Sequence, residues 1–460
     1  MVRLALLLLG SDFIRRRWLV LAIGGAVWAA LGLAIFIDAL DGVTYFPTHV
    51  FGYLLLVEAV VTLIVSSPQP GTPSVLRKVR GVAFLILGLL IIDSHHAASV
   101  ILAMAFGVAF LVDGGFRIAA ALVVRFRGWW ISLLTGVLEV VFAAFMFEPY
   151  PTFYAGTVPY CIGMGVFLSG CGLLRQAWRL KRLPDNAALS LLLAQGVDLP
   201  DAVLTPELST TPPGTLIVHV WTPAGSADDV VPSPLVNRYI AAVDAKGVIS
   251  TGHAALECPP DMYASHYPAV EMDRSTGDFT QMLRATATNN VPGKFQPSYA
   301  QEAAGWCESS VEVRFDHYDH GRLLAFWKRY RGDTTYNLTS RNCSSTVAHC
   351  LEAALEGALA PQGAGYGSFV RAMLNPELWV AAQLRKRAEA MAWTPGLVLD
   401  YARALKAAIH PMPLGWYTLL ALPRRLYRYV LMIYRGEPMR SVDAIHDEVN
   451  AKPARKRSIE

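Results

Sequence analysis

A cysteine at the predicted start of a helix is the residue best suited to chemistry in this sequence. Cys343 follows Asn342 and opens a stretch, residues 344–358, in which apolar residues recur at helical spacing. The free backbone N–H groups and the positive dipole end at a helix start favour a thiolate over a thiol. The sequence therefore predicts that Cys343 is a nucleophile. The alternative is a small buried thiol without a chemical role.

A histidine upstream could serve as the base for this cysteine. His253 follows Gly252, after a predicted strand at residues 239–250, and begins a further predicted strand at residues 253–257. A histidine on a half-buried strand can face a cysteine from elsewhere in the fold, accept its proton and return that proton to the leaving group. A cysteine and histidine pair for acyl transfer is therefore the leading hypothesis.

These residues resemble a known group of enzymes. A histidine on a strand, a polar residue about one strand later, and a Tyr-x-Leu-x-x-x-Asn-Cys sequence that opens a helix are similar to the permuted papain-like enzymes, including the lecithin:retinol acyltransferase-like group. The resemblance covers residues 214–357. It implies that Cys343 is the nucleophile, His253 the base and His266 the third residue, which orients the imidazole. Asn342 matches the asparagine that precedes the nucleophile, whereas Ser344 departs from the acid found there in the acyltransferase group. The predicted oxyanion or supporting residues are Asn342, Ser344 and Tyr336.

The composition indicates that part of the chain lies in a membrane. The mean hydropathy is +0.36, and 53% of the 460 residues are hydrophobic while 17% are charged, which is too apolar for a soluble enzyme of this length. The six cysteines show no paired spacing, which favours free thiols in a reducing compartment. Six apolar segments are candidate membrane spans: residues 18–37, 50–65, 75–92, 98–124, 129–147 and 157–178.

The basic residues predict the orientation of these spans. Lysines and arginines cluster in alternate connections, at residues 15–17, 77–80, 125–127 and 175–182. The connections between them, at residues 38–46, 93–96 and 148–154, contain no lysine or arginine. By the positive-inside rule, the sequence predicts a multi-pass protein of the bacterial inner membrane with both termini in the cytoplasm.

The apolar segments also repeat. Similar short sequences begin at Leu55, Phe110 and Phe167, each in the second helix of a predicted hairpin. Three such hairpins resemble the HdeD-type membrane family. The resemblance implies a six-helix protein associated with acid resistance in bacteria.

Charged residues within the apolar segments are Glu58, Asp113, Arg117 and Glu139. A charge in the hydrocarbon layer costs at least ~2.5 kcal/mol, so these side chains are expected to face the bundle interior. They could form a proton path or a small-molecule site. The favoured alternative is that Asp113 and Arg117, four residues apart on one helix, neutralise each other.

The predicted fold is multi-domain. An all-α bundle of six transmembrane helices in three hairpins precedes a cytoplasmic α+β domain with a permuted papain-like fold. The predicted regions are the bundle at 1–182, a proline-punctuated linker at 183–213, the catalytic domain at 214–395 and covering or interfacial helices with a charged tail at 396–460. In the last region, residues 414–434 mix aromatic residues with arginines, which suits either the membrane interface or an ordinary covering helix. Further strands are predicted at 215–222 and 310–315, and a helix at 321–331.

These features favour a membrane-tethered, cysteine-dependent acyl hydrolase or acyltransferase that acts on lipid acyl groups. Two alternatives stay open: a cysteine peptidase or isopeptidase with the same triad, and a non-enzymatic stress or acid-resistance protein with a binding module. His317 and His320 lack a partner cluster, so no metal and no cofactor is predicted. The expected partners are membrane lipids and a lipid or peptide substrate. An oligomer is possible, and no nucleic acid is expected.

Overall fold

The computed structural model shows a helical bundle followed by a sheet domain. The described residues are 1–11, 18–40, 47–64, 72–93, 95–126, 128–149, 154, 156–182, 187–193, 204, 214–221, 242–243, 249–250, 252–270, 281, 283–360 and 366–410. The predictions for the basic residues 15–17, for most of the linker, for the aromatic segment 414–434 and for the charged tail lie outside the described residues.

A short helix, α1 (Val2–Leu9), precedes the bundle. The bundle helices are α2 (Trp18–Asp38), α3 (Thr48–Ile64), α4 (Thr72–Ile92), α5 (His96–Val124), α6 (Trp129–Phe147) and α7 (Thr157–Lys181). Among the described helices, α2, α5, α6 and α7 are long and apolar enough to cross a membrane. Helix α3 has 17 residues, and α4 has Arg77, Lys78 and Arg80 in its first half. Length and composition thus support four of the six predicted spans.

The bundle helices pack in pairs that differ from the predicted hairpins. The three extensive pairs are α2 with α7, α3 with α4, and α5 with α6, so the first span lies against the last rather than against the second. Glycines allow this close approach. A Cβ atom at Gly32 of α2 would lie 2.2 Å from the backbone nitrogen of Phe167 in α7, which is typical of membrane helices that pack through small residues.

The C-terminal half contains an antiparallel sheet. Its strands are β1 (Leu216–Trp221), β2 (Ala242–Val243), β3 (Ile249–Ser250), β4 (His253–Cys258), β5 (Met262–Pro268), β6 (Val291–Phe295), β7 (Val311–Phe315) and β8 (Thr335–Tyr336). Among the described residues, six strands form one sheet in the order β7-β1-β4-β5-β6-β8, and β2 pairs with β3. Strands β1, β4 and β7 lie where they were predicted. Strand β5, which completes the candidate site, was missed.

Helices cover this sheet. They are α8 (Leu189–Leu193), α9 (Tyr299–Gly305), α10 (His320–Tyr330), α11 (Cys343–Ala354), α12 (Tyr366–Met373), α13 (Pro376–Ala390) and α14 (Pro395–Ile409). Helix α11 lies against β4 and β5, and α14 lies against α11 and β1. Nearly every residue of α11 is buried, as expected for a helix enclosed between a sheet and a second helix.

The N-terminal helix α1 belongs to the core of the sheet domain. Leu4 to Leu9 are buried in the same apolar cluster as the strands and α14, and the amides of Gly357 and Leu359 donate to the carbonyls of Leu7 and Leu8. Helix α14 is likewise a core element rather than a cover. The predicted boundaries at residues 182 and 396 therefore separate elements that pack together. Local patterns could not show this, because α1 and α14 join the core only through tertiary contacts.

The bundle and the sheet domain meet through α4 and α13. Arg77 of α4 forms a buried ion pair with Glu377 of α13, and the Arg80 guanidinium lies 4.4 Å from the centre of the Trp379 ring. A buried ion pair that loses one partner costs about 3–5 kcal/mol, so this contact resists separation of the two parts. Arg77 and Arg80 therefore both contact the sheet domain across this junction.

Candidate active site

Helix α11 begins at Cys343 because Asn342 caps it. The Asn342 side-chain oxygen accepts a hydrogen bond from the Ser345 amide, and Ser345 Oγ accepts one from the Asn342 amide, both at 2.8 Å. The Asn342 side-chain amide donates to the carbonyls of Leu338 and Trp393. Its two donor hydrogens are therefore engaged, which leaves none for an oxyanion. Asn342 instead fixes where the helix, and with it Cys343, begins.

The thiol of Cys343 lies beside the start of strand β4. Its Sγ atom is 3.7 Å from Ser344 Oγ and is hydrogen-bonded to the backbone of Ala254, the residue after His253. Only 9% of Cys343 is exposed, and Ser344 is fully buried. The fold thus brings together the two motifs that the sequence places far apart.

His253 is the first residue of β4 and is 4% exposed. Its Nε2 atom lies 2.8 Å from Ser265 Oγ and 3.3 Å from Glu302 Oε1. The ring stacks on Tyr267 of the neighbouring strand, with 4.2 Å between ring centres. Both of these polar partners lie at Nε2.

A buried carboxylate that the sequence analysis missed supports this histidine. Glu302 lies in α9, which Ser298 caps, and it accepts hydrogen bonds from the hydroxyls of Tyr263 and Tyr267, each at 2.6 Å. Burial and these hydrogen bonds to Glu302 raise the pKa of both tyrosines. The alternation of Tyr263, Ser265 and Tyr267 could have indicated one polar strand face. No spacing in the sequence relates that face to Glu302.

Burial favours the neutral form of both Cys343 and His253, whereas the helix start was expected to favour a thiolate at Cys343. Burial raises the pKa of the Cys343 thiol, although hydrogen bonds with Ser344 and the Ala254 backbone oppose this shift. Burial also lowers the pKa of His253 to about 4, although the nearby Glu302 carboxylate raises it. Near neutral pH the thiol therefore keeps its proton and the imidazole is uncharged. The helix start does not ionise Cys343, because the cost of burying the charge outweighs the dipole.

His266 does not orient His253. Its Nε2–H donates to the Thr334 carbonyl at 3.3 Å, and its Nδ1 atom lies 3.3 Å from Thr346 Oγ1 in α11. The ring packs on Phe295 and Tyr336. The groups that contact the His253 ring are Ser265 and Glu302, so the structure does not place His266 in the predicted orienting position. Tyr336 likewise packs against His266.

The histidines near α10 form no metal cluster. His320 lies 3.1 Å from Asp261, and the ring of His317 lies 5.6 Å from that of His410. Within the described part of the chain, no group of three or more histidine, cysteine, aspartate or glutamate side chains could hold a metal ion.

The charged residues of the bundle pair with one another. Arg117 contacts Asp113 at 2.7 Å and Glu139 at 2.8 Å, while Glu58 pairs with Arg80. This matches the favoured alternative, in which Asp113 and Arg117 neutralise each other. However, the Asp113 side chain is 56% exposed, so it does not face the bundle interior as predicted.

The bundle shows a family match. Residues 79–148, which cover most of α4 with α5 and α6, match a family model described as a short repeat of unknown function, DUF308, the HdeD-type membrane family. Together with the apolar helices, this match identifies a membrane protein that contains a DUF308 repeat. No curated protein and no solved structure matches the chain.

Proposed function

We propose that the protein is a membrane-anchored, cysteine-dependent acyl hydrolase or acyltransferase. The observation that carries this proposal is the junction of α11 with β4. There, the thiol of Cys343 lies beside the residue that follows His253, and the histidine is held through Nε2 by Ser265 and Glu302. A nucleophile, a base and a group that orients the base are the components of covalent acyl transfer.

The neutral pair sets the order of proton transfer. As Cys343 Sγ attacks an acyl carbonyl, its proton passes to Nδ1 of His253, and the Glu302 carboxylate stabilises the imidazolium that forms. The imidazolium then protonates the leaving group, and a thioester on Cys343 remains. His253 next removes a proton from water or another acceptor, which attacks the thioester and releases the thiol.

The backbone supplies the anion-binding part of the site. Cys343 is the first residue of α11, and the first N–H groups of a helix have no partner within the helix. The Cys343 N–H therefore serves as an oxyanion donor. Since the Asn342 side chain is engaged, the donors come from the helix start itself.

Attachment to the bundle favours a lipid acyl group as the substrate. The sheet domain is joined to α4 through the pair of Arg77 and Glu377, so membrane lipids are the acyl donors at the highest local concentration. A peptide or isopeptide bond in a membrane protein is the second substrate class for the same residues.

The experiment uses the full-length protein in lipid nanodiscs with a phospholipid that carries a fluorescent acyl chain. We expect acyl release, and an acyl mass on the peptide that contains Cys343, which Cys343→Ala abolishes. Cys307→Ala is the matched control, because Cys307 is an exposed cysteine of the same domain. Equal release by both variants would contradict the proposal. Cleavage of a peptide library without acyl release from the phospholipid would instead support the peptidase alternative.

One observation favours a different function. The thiol of Cys343 and the imidazole of His253 are almost fully buried, as in a structural core. In a non-enzymatic stress or acid-resistance protein, the sheet domain would be a binding module, and Cys343→Ala would leave the phenotype unchanged.

The location of the sheet domain is also part of the proposal. Helix α1 precedes the first span and packs in the same core as the strands that follow the last span. Both therefore lie at one end of the bundle, where Arg125, Arg175 and Lys181 also lie. The positive-inside rule assigns this end to the cytoplasm of a bacterial inner membrane. Cysteine labelling of Cys307 in intact cells with an impermeant reagent tests it, since a cytoplasmic domain stays unlabelled.

A further inference from the structure

A cleft lies between α1 and the last turns of α7, where the bundle meets the sheet domain. Its polar lining consists of Arg3, Gln176 and Arg179, and its apolar lining consists of leucines from α1, α7 and α8. The cleft is shallow and partly open to solvent. One wall is therefore cationic and the other apolar.

Carboxylates of the described residues only partly balance the cationic wall. Within the described residues, no carboxylate forms an ion pair with Arg3, Arg175 or Arg179, and nearby Glu389 is engaged by Arg385. Burial lowers the pKa of Arg3, and Arg175 and Arg179 lower it further, while Glu389 opposes them. Like charges on two separate helices are thus held together in a partly buried cleft. Such an arrangement is stabilised when an anion enters it.

The residues beside the cleft have the pattern of a membrane interface. Beside it, the Arg182 guanidinium lies 3.9 Å from the centre of the Trp178 ring, and the Lys181 ammonium lies 5.0 Å from that of Trp18. Trp178 is exposed. Tryptophans next to basic residues at the end of a membrane-spanning helix mark the membrane interface.

We propose that this cleft binds the phosphate of an anionic phospholipid, with the guanidinium groups of Arg3 and Arg179 on the phosphate oxygens. A guanidinium matches phosphate with two parallel N–H donors. The leucines of the opposite wall suit the first carbons of the lipid. A soluble phosphate would satisfy the arginines but would leave this apolar wall uncovered.

The bound lipid would couple the membrane to the sheet domain. Helix α1 carries Arg3 at one end, and its leucines lie in the core of the sheet domain. A ligand that binds the folded protein stabilises it by an amount that rises with ligand concentration. The proportion of anionic lipid would therefore set how firmly α1, and through it the domain, is held at the membrane.

The test measures lipid retained by the full-length protein after purification in detergent. The protein is incubated with phosphatidylglycerol or with phosphatidylcholine, and bound lipid is counted by native mass spectrometry. We expect selective retention of phosphatidylglycerol. One arginine near an anionic surface contributes about 1 kcal/mol, so Arg3→Gln should weaken retention about fivefold, and Arg3→Gln with Arg179→Gln about 30-fold.

Arg182→Gln is the matched control, because Arg182 lies at the same depth but does not line the cleft; it should retain the lipid. Should Arg3→Gln lower the melting temperature without lipid, Arg179→Gln alone carries the comparison. Equal retention of the two lipids, or equal loss in Arg182→Gln, would overturn the proposal. Displacement of the lipid by millimolar inorganic phosphate would also overturn it, because the ligand would then be a soluble phosphate.

Discussion

Two neighbouring strands each carry a buried histidine, and the two side chains lie on opposite faces of the sheet. His253 begins β4, and His266 lies in β5 directly after Ser265, whose hydroxyl contacts His253. Burial lowers the pKa of both imidazoles to about 4. Their partners differ, because His253 contacts the Glu302 carboxylate, whereas the hydrogen-bonding groups at His266 are the Thr346 hydroxyl and a backbone carbonyl.

Under the proposed mechanism, this difference separates the proton acceptor, His253, from a packing residue, His266. A carboxylate stabilises an imidazolium as it forms, and a neutral hydroxyl and carbonyl do so less well. The thiol of Cys343 also lies at the start of β4, whereas His266 joins α11 to the sheet further along the helix. A buried histidine with a lowered pKa is therefore not by itself a catalytic residue. The proposed distinction rests on the carboxylate in direct contact with His253, because the charges of Asp333 and Arg341 also act on His266.

The largest expected effect on acyl release comes from substituting each histidine in turn. His253→Asn should lower acyl release by about 10³-fold or more, because the thiol loses its base. His266→Asn is the matched control and should cost less than about tenfold. Both are measured with the fluorescent phospholipid in nanodiscs. If His266→Asn lost as much activity as His253→Asn and kept an unchanged melting temperature, the assignment of His253 rather than His266 as the base would be contradicted.

A smaller effect is expected when only the carboxylate is removed. Glu302→Gln should lower acyl release by about 10- to 100-fold, since Glu302 raises the pKa of His253 and its loss makes the imidazole a weaker base. The pH profile of the rate distinguishes this from a packing defect, because its acidic limb should move to lower pH. Glu308→Gln, which changes an exposed carboxylate after the same helix, should leave the profile in place. An unchanged pH profile in Glu302→Gln would contradict the proposed role of Glu302 in stabilising the imidazolium.

The thiol itself provides the third test. Because burial raises the pKa of Cys343, alkylation by iodoacetamide should show an apparent pKa above the ordinary value of about 8.5. The rate at neutral pH should be about tenfold lower than in the unfolded chain. Mass spectrometry of the Cys343 peptide in a Cys307→Ala background measures it. Alkylation well below pH 8.5 would restore the predicted thiolate.

The sequence predicted the parts of this site that depend on neighbouring residues. The apolar helical spacing after Cys343 placed the start of α11, and the strand predicted at residues 253–257 placed β4. Glu302 was missed because it reaches His253 only through the packing of α9 on the sheet. The sequence favoured a thiolate at Cys343, whereas burial raises the pKa of this thiol. The helix dipole is a local property, but desolvation depends on everything packed around the thiol.

The same limit applies to the bundle. Hydropathy located its helices, but the pairing of α2 with α7 depends on glycines that meet across the fold. In the sequence, the basic residues of α4 were interpreted as the flank of a membrane span. The structure explains those charges through Glu377 and Trp379 of α13, which no local pattern connects to α4. The packing of α1 in the core of the sheet domain could not be predicted for the same reason.

The smallest expected effect is on the pH dependence of stability, and it should be the same for the two histidines. Each has a pKa of about 4 when folded and about 6.5 when unfolded, so between these values the unfolded chain binds more protons. The stability that each neutral ring contributes is complete above about pH 6.5. It is lost as the pH falls towards 4, at up to about 1.4 kcal/mol per pH unit for each histidine. His266→Asn and His253→Asn should therefore flatten the fall in melting temperature between about pH 6.5 and 5 to the same degree. A steeper contribution from His253 alone would mean that Glu302 does not offset its burial. Equal slopes, together with unequal losses of acyl release, would show that the faces differ in chemistry and not in how deeply their histidines are buried.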